Sequence, residues 1–236
     1  MLNTIFMNKI IKVILLMLIV SNSFSQVTDT TSKWNYSIGS DIVSRYVWRG
    51  SDYNNSPAIQ PTAEISYKNF AFGAWGSYTF ANAEIQEADL YLSYSFWKIK
   101  MICYDYFYMN MNNARNSYFT YNKDKTGHDF SLDTEFLLSE KFPLKILISY
   151  NFYGADTLQS AYFETSYKLT KNIPLEIFVG YTPYQGWYGN DIGVVNTGIC
   201  MKKEYKLLGE DVIPIYFKLI FNPQSENIYI VAGITF

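Results

Sequence analysis

Residues 34–50 of the chain read WNYSIGSDIVSRYVWRG, and the apolar residues of this stretch recur with a period of two. Because successive side chains of a β-strand point to opposite faces, the stretch predicts one strand with an apolar face and a polar face. The apolar face is predicted to carry Trp34, Tyr36, Ile38, Ile42, Tyr46 and Trp48. An edge strand of a soluble β-sandwich fits this pattern as well as a lipid-facing strand of a membrane barrel, in which aromatic residues mark the two interfaces.

The first 25 residues have the features of an export signal. Two lysines precede the apolar run 13–20, and small residues follow it. The apolar run is too short to cross a bilayer stably. We therefore predict a signal peptide at 1–25, a periplasmic spacer at 26–33 and one β domain at 34–236.

The composition favours strands with two unlike faces. The 236 residues include 22 Tyr and 17 Phe, and 49% of them are hydrophobic, yet the mean hydropathy is only −0.07. The formal net charge is −2 and no basic block is present, which argues against a nucleic-acid partner. Cys103 and Cys200 are far apart and do not form a disulfide framework, so two free thiols are expected.

From Trp34 to Phe236 the pattern predicts about twelve strands separated by polar connectors, and no segment of helical period interrupts them. An even strand number is the rule in single-chain bacterial barrels. Short connectors follow Tyr67, Phe96, Ser139 and Leu169. Most of the others are longer and polar, and the longest is Met111–Gly127. Outer-membrane barrels have short periplasmic turns and longer outer loops, so both termini are predicted to be periplasmic.

The last strand adds a separate signal. Ile230, Ala232, Ile234 and Phe236 share one face of it. A final amphipathic strand that ends in Phe resembles the signal read by the barrel assembly machinery of the outer membrane. In lipid every backbone amide needs an internal partner, so an all-strand domain has to close on itself. The sequence therefore predicts an all-β transmembrane antiparallel barrel of about 12 strands in a Gram-negative outer membrane, with lipid and the assembly machinery as partners.

The stretch Asp41–Gly50 resembles the opening of the TorF-type porins, a family of outer-membrane barrels. Further similarities lie at Pro57, at Gln60-Pro61, in the run 73–77 and in the run 89–91. The resemblance covers residues 40–94 and is diffuse beyond them. It implies a porin-like role and does not identify a solute.

An enzymatic function is not predicted. Outer-membrane phospholipase A is also a twelve-strand barrel and uses His, Ser and Asn, but His128 is the only histidine of this chain. Ser131 lies three residues later, so the two side chains point to opposite faces of a strand. We find no G-x-S-x-G motif and no His/Cys cluster for a metal. We predict an exposed surface position for His128, and no catalytic residue, metal or cofactor.

The polar faces of the strands carry charges of both signs. The predicted lumen-lining residues are Asp41, Arg45, Arg49, Glu64, Asp89, Asp105, Asp133, Glu135, Lys145, Glu164, Glu176, Lys202 and Lys218. Such charges either neutralise one another in a solvated interior or form charge-selective sites in a pore. Arg49 is expected near the outer mouth without a partner, and Arg45 deeper, paired with Asp41 or Glu64.

These observations predict a porin-like channel for the passive diffusion of small hydrophilic solutes. The alternative is a structural or adhesive barrel whose lumen is blocked and whose loops bind a partner.

Overall fold

A computed structural model describes residues 33–53, 55–81, 85–110, 117–169, 174–206 and 212–236. Within these residues the fold is all-β and consists of a closed barrel of twelve antiparallel strands, which confirms the predicted fold class. No helix in the described ranges has the length and hydropathy needed to cross a bilayer. The predicted signal peptide, and all of the predicted spacer except its last residue, lie outside the described residues.

Twelve of the fourteen described strands form the barrel wall. They are β1 (Trp34–Val43), β4 (Ala58–Tyr67), β5 (Phe70–Thr79), β6 (Ile85–Phe96), β7 (Ile99–Asn110), β8 (His128–Leu137), β9 (Leu144–Gly154), β10 (Ala161–Lys168), β11 (Leu175–Thr182), β12 (Gly193–Lys206), β13 (Val212–Asn222) and β14 (Asn227–Thr235). The short strands β2 (Val47–Trp48) and β3 (Ser51–Asp52) pair only with each other.

The wall closes between β1 and β14. Asp41 lies opposite Gln60 of β4 on one side and Thr235 of β14 on the other. Next to this seam, the backbone N–H groups of Ser40 and Phe236 each donate to the carbonyl of the other residue, at 3.2 and 2.9 Å. Closure gives the outermost strands a partner, so the sheet has no open edge.

The two ends of the barrel differ in their connections. At one end, which we call the turn end, β4–β5 and β6–β7 are joined by the two-residue turns Lys68-Asn69 and Trp97-Lys98. At the other end, the loop end, β7 is followed by β8 and β11 by β12 through longer connections, of which 117–127 and 183–192 are described. The alternation of connector length expected from the sequence holds for these four connections and does not hold throughout, because the loop-end connection 223–226 is shorter than the turn-end connection 138–143.

The wall has an apolar outer face and a polar inner face. Pairs such as Ile38–Ala63, Leu219–Ile230 and Phe217–Ala232 lie opposite each other on the outside, where Ile38 is 69% exposed. The period-two pattern of the sequence assigned the two faces correctly on these strands. Residues that lie opposite each other on neighbouring strands point to the same face, so each outward residue is paired with another outward residue.

The prediction of a single strand over residues 34–50 is wrong beyond Val43. There the chain leaves the wall and folds into the barrel as an inserted hairpin, residues 44–53, which contains β2 and β3. Tyr46 is therefore buried, and the ring of Trp48 lies 5.3 Å from that of Tyr106 on the inner face of the wall. Neither residue faces lipid, although both continue the alternation of β1.

Candidate functional site: a lumen closed by an inserted hairpin

The inserted hairpin turns at Arg49 and Gly50. Val47 lies opposite Asp52, and φ is +49° at Arg49 and +80° at Gly50. Two positive φ values in a two-residue hairpin loop match the twist of the strands that flank it. A Cβ atom at Gly50 would lie 1.9 Å from the carbonyl oxygen of Val195, so only glycine allows the tip of the hairpin to approach β12 this closely.

Arg49 is buried at the centre of this contact, with 6% of its surface exposed. Its guanidinium donates to the carboxylate of Asp133 at 2.8 Å and to the phenol oxygen of Tyr188 at 2.5 Å. The same group lies over the rings of Trp48, Tyr162 and Tyr188, at 4.3, 4.7 and 4.7 Å from their centroids. The prediction that Arg49 is unpaired near the outer mouth is therefore wrong, because this segment folds inward.

Further hydrogen bonds hold the groups that contact Arg49. Asp133 also accepts from the hydroxyls of Ser131 and Ser149. Tyr188, in the 183–192 connection, donates to Oδ1 of Asn151 at 3.0 Å. Burial raises the pKa of Tyr188 to about 12, so its phenol stays protonated and serves as this donor.

Contacts of the hairpin extend across the lumen. The backbone carbonyl of Gly50 accepts a hydrogen bond from the side-chain amide of Asn222 on β13 at 3.0 Å. The ring centroids of Tyr46 and of Trp75 on β5 lie 5.5 Å apart. An apolar cluster of Tyr162, Tyr188 and Val195 packs against Trp48 inside the barrel. Because the hairpin contacts β5, β7, β8, β10, β12 and β13, it lies across the lumen toward the loop end.

Arg45 lies in the inserted hairpin and is paired within the same segment. It forms an ion pair with Asp52 at 2.9 Å and donates to Oδ1 of Asn55 at 2.8 Å. The expected pairing with Asp41 or Glu64 is wrong. These two carboxylates accept instead from tyrosine hydroxyls of β13 and β6, at 3.5 and 2.9 Å.

A cavity of about 600 Å³ lies beneath the inserted hairpin, on the side of the turn end. Lys100, Glu135, Lys145 and Glu176 line both this cavity and the turn-end mouth, a space of about 1320 Å³, so the two spaces are neighbours. Lys145 and Glu135 form an ion pair at 3.6 Å. This pair thus lies where the cavity and the turn-end mouth meet.

Most of the predicted lumen residues face this interior. The cavity is lined by Arg49, Asp89, Asp133, Glu135, Lys145, Glu164, Glu176 and Lys218. Asp41, Glu64 and Lys202 share the inward register of their strands. The sequence did not identify the tyrosines of the cavity as site residues, although the inward positions of β7 carry them at every second residue from Tyr104 to Tyr108.

Asp105 is the exception, since it faces outward opposite Leu90 and Phe130. The prediction of a lumen position is wrong because both faces of β7 carry apolar or aromatic residues, so that alternation alone does not orient this strand.

His128 pairs with Asp105 on the outside of the barrel. Its Nδ1 lies 2.6 Å from Asp105, and its Nε2 lies 2.5 Å from the carbonyl oxygen of Tyr118. The ring of Tyr121 stacks on the imidazole at 4.5 Å, and His128 is 0% exposed. The prediction of an exposed histidine is therefore wrong, because the connection 117–127 covers it. Ser131 faces the interior, as the three-residue spacing predicts.

Cys103 and Cys200 are free thiols, as expected. Among the described residues, no group of three or more His, Cys, Asp or Glu side chains is arranged to hold a metal ion. Comparison with protein-family models, with curated proteins and with solved structures finds no match to this chain.

Proposed function

We propose that the protein is an outer-membrane barrel that acts as a porin-like channel for small hydrophilic solutes, with a resting state closed by the inserted hairpin. The observation that carries this proposal is the hairpin itself. A closed wall surrounds a charged, cavity-containing lumen, and the hairpin enters it from the loop end, where Tyr188 of the 183–192 connection packs against it. If the hairpin leaves the lumen, diffusion through the barrel is switched on, and if it returns, diffusion is switched off.

The outer face supports a membrane setting. At the turn end, ring contacts join Trp34 to Tyr67, Phe70 to Tyr94 and Trp97 to Phe136. Toward the loop end, Phe130 contacts Phe152 and Tyr153. Aliphatic side chains lie between these two belts, as at Leu132 and Ile148. Two aromatic belts around an apolar band are the pattern of a barrel in a lipid bilayer. In this proposal the assembly machinery reads the last strand up to Phe236.

Opening requires the hairpin to leave the lumen. The hairpin is covalently joined to the wall only through β1 and β4. If its non-covalent contacts break, it can therefore move toward the loop end while the wall stays closed. The ion pair of Arg49 with Asp133 opposes this movement, because separating the pair within the barrel leaves both charges without their partner. The strength of this contact sets the fraction of time that the channel is closed.

Conductance in planar bilayers tests the proposal. We expect the native protein to show low conductance with brief openings. A variant in which residues 45–55 are replaced by a short Gly-Ser linker is expected to give stable, ohmic steps. Heat-modifiable migration on a gel serves as the control for a folded barrel. A folded linker variant that stays silent would count against a channel.

That silent outcome would favour the second candidate, a structural barrel with a permanently closed lumen. The observation that favours it is a chain of buried hydrogen bonds next to the hairpin. Tyr188, which contacts Arg49, donates to Asn151, and Asn151 donates to Asp156, so movement of the hairpin would disturb several buried polar groups.

A further inference from the structure

One wall of the cavity beneath the inserted hairpin is aromatic. The rings of Tyr91 and Tyr104 lie 5.7 Å apart, and Tyr104 stacks on Tyr106 at 5.0 Å with 10° between the planes. Trp48 and Trp75 also line the cavity. Aromatic faces carry partial negative charge and attract polarised C–H groups, so this wall suits a ligand that has an apolar C–H face.

The rest of the lining is charged but nearly balanced. Among the described residues that line the cavity, five are carboxylates, Asp89, Asp133, Glu135, Glu164 and Glu176, and four are cations, Arg49, Lys100, Lys145 and Lys218. Four of these charged residues form two ion pairs, Arg49 with Asp133 and Lys145 with Glu135. Such a lining favours neither an anion nor a cation strongly, and it supplies hydrogen-bond donors and acceptors side by side.

Several of these groups are positioned before any ligand arrives. Glu164 accepts hydrogen bonds from Tyr162 and from Asn196, the latter at 2.9 Å, so its carboxylate is fixed at the cavity wall. Lys100 and Glu176 line both the cavity and the turn-end mouth. Fixed polar groups around an aromatic surface reduce the entropy lost on binding.

We propose that this cavity binds a neutral saccharide of one or two pyranose rings. One face of a pyranose presents C–H groups, which would lie against the aromatic wall to which Tyr104 belongs, and its hydroxyl edge both donates and accepts hydrogen bonds, which suits the mixed carboxylates and lysines. A volume of about 600 Å³ lies within the range of small-molecule sites. The inference rests on the proposed function in that the bound sugar would be the solute that crosses the barrel.

The test uses the full barrel refolded in an amine-oxide detergent, because detergents with sugar head groups would compete for the site. Maltose and cellobiose are the probes, and saturation-transfer-difference NMR measures their binding. We expect saturable transfer that is strongest for the C–H protons of one sugar face. Tyr104→Leu keeps an apolar side chain without the ring and should weaken the affinity at least fivefold.

Tyr94→Leu is the matched control. Tyr94 lies on the neighbouring strand β6, faces outward opposite Phe70, and should leave binding unchanged. Absence of saturable transfer in the native protein, or equal weakening in both variants, would overturn the inference. So would saturable binding of succinate or putrescine without binding of either disaccharide. Binding in micelles does not require conduction, so a barrel that binds sugar but is silent in bilayers overturns only the proposed function.

Discussion

Arg49 and Asp133 are 84 positions apart in the chain, and their side chains meet at 2.8 Å inside the barrel. The contact joins the tip of the inserted hairpin to the inner face of β8. It is the charged part of a seal that also includes the rings of Trp48, Tyr162 and Tyr188. The position of the hairpin in the lumen therefore depends on contacts that point mutations can remove.

Removing one partner of this pair should destabilise the protein strongly. We expect Arg49→Ala or Asp133→Ala to lower the free energy of unfolding by about 3–5 kcal/mol, because each leaves a buried charge without its partner. The loss in the double variant should be smaller than the sum of the two. Urea unfolding in lipid vesicles, followed by tryptophan fluorescence, measures these changes. Arg45→Ala is the control, since Arg45 is partly exposed and its ion pair is worth at most about 1 kcal/mol. Equal losses at both arginines would contradict the assignment.

Gly50→Ala should displace the hairpin and leave the wall intact. The added Cβ would overlap the backbone of Val195, and the positive φ of Gly50 adds strain. We expect trypsin to cleave after Arg49 in this variant and not in the native protein, with increased conductance in bilayers. Val47→Ala, which introduces no clash, is the control. A variant that folds and remains uncleaved would show that the close approach at Gly50 is not what seats the hairpin.

Charges on the outer face should be costly only where lipid surrounds them. Ile146→Arg and Leu219→Arg, both on outward positions, are expected to destabilise the barrel by about 2–4 kcal/mol. Thr62→Arg is the control, because Thr62 faces the cavity and an arginine there can reach water. The folded fraction on a heat-modifiability gel, measured against urea concentration, reports the effect. Similar midpoints for all three variants would argue against a lipid-facing outer surface.

His128 should hold the connection 117–127 against the outside of the wall. Loss of its contacts with Asp105 and with the Tyr118 carbonyl in His128→Ala should free this segment. We expect new tryptic cleavage after the exposed residues Lys123 and Lys125, while the barrel stays heat-modifiable. Tyr153→Phe removes a single hydrogen bond, to the carbonyl of Tyr121, and should have a smaller effect. Unchanged proteolysis of His128→Ala would mean that the surrounding aromatic contacts suffice.

The wall could be predicted from the sequence because alternation records which face each residue takes. A strand such as β14 places Ile228, Ile230, Ala232 and Ile234 on its outward face, so the pattern is clear there. On β7 both faces carry apolar or aromatic side chains, so the pattern did not show that Asp105 faces outward.

The inserted hairpin could not be predicted in the same way. Its short strands continue the period of β1, so Tyr46 and Trp48 look like further wall residues. The only local sign is Arg49-Gly50, whose glycine favours a tight turn. Inside the barrel the hairpin is held in part by the contact of Arg49 with Asp133. These two residues are 84 positions apart, so their contact leaves no periodic signal in the sequence.

The inserted hairpin also constrains the order of folding. It is attached to the first strand of the wall, yet its contacts extend to Asn222 on β13, the strand before the last. Those contacts cannot all exist until most of the wall has been added. Arg49 is therefore expected to stay hydrated until the segments that carry Asp133, Tyr162 and Tyr188 are in place. Sealing the lumen and closing the wall are thus expected to be a single, slow kinetic phase dominated by non-local contacts.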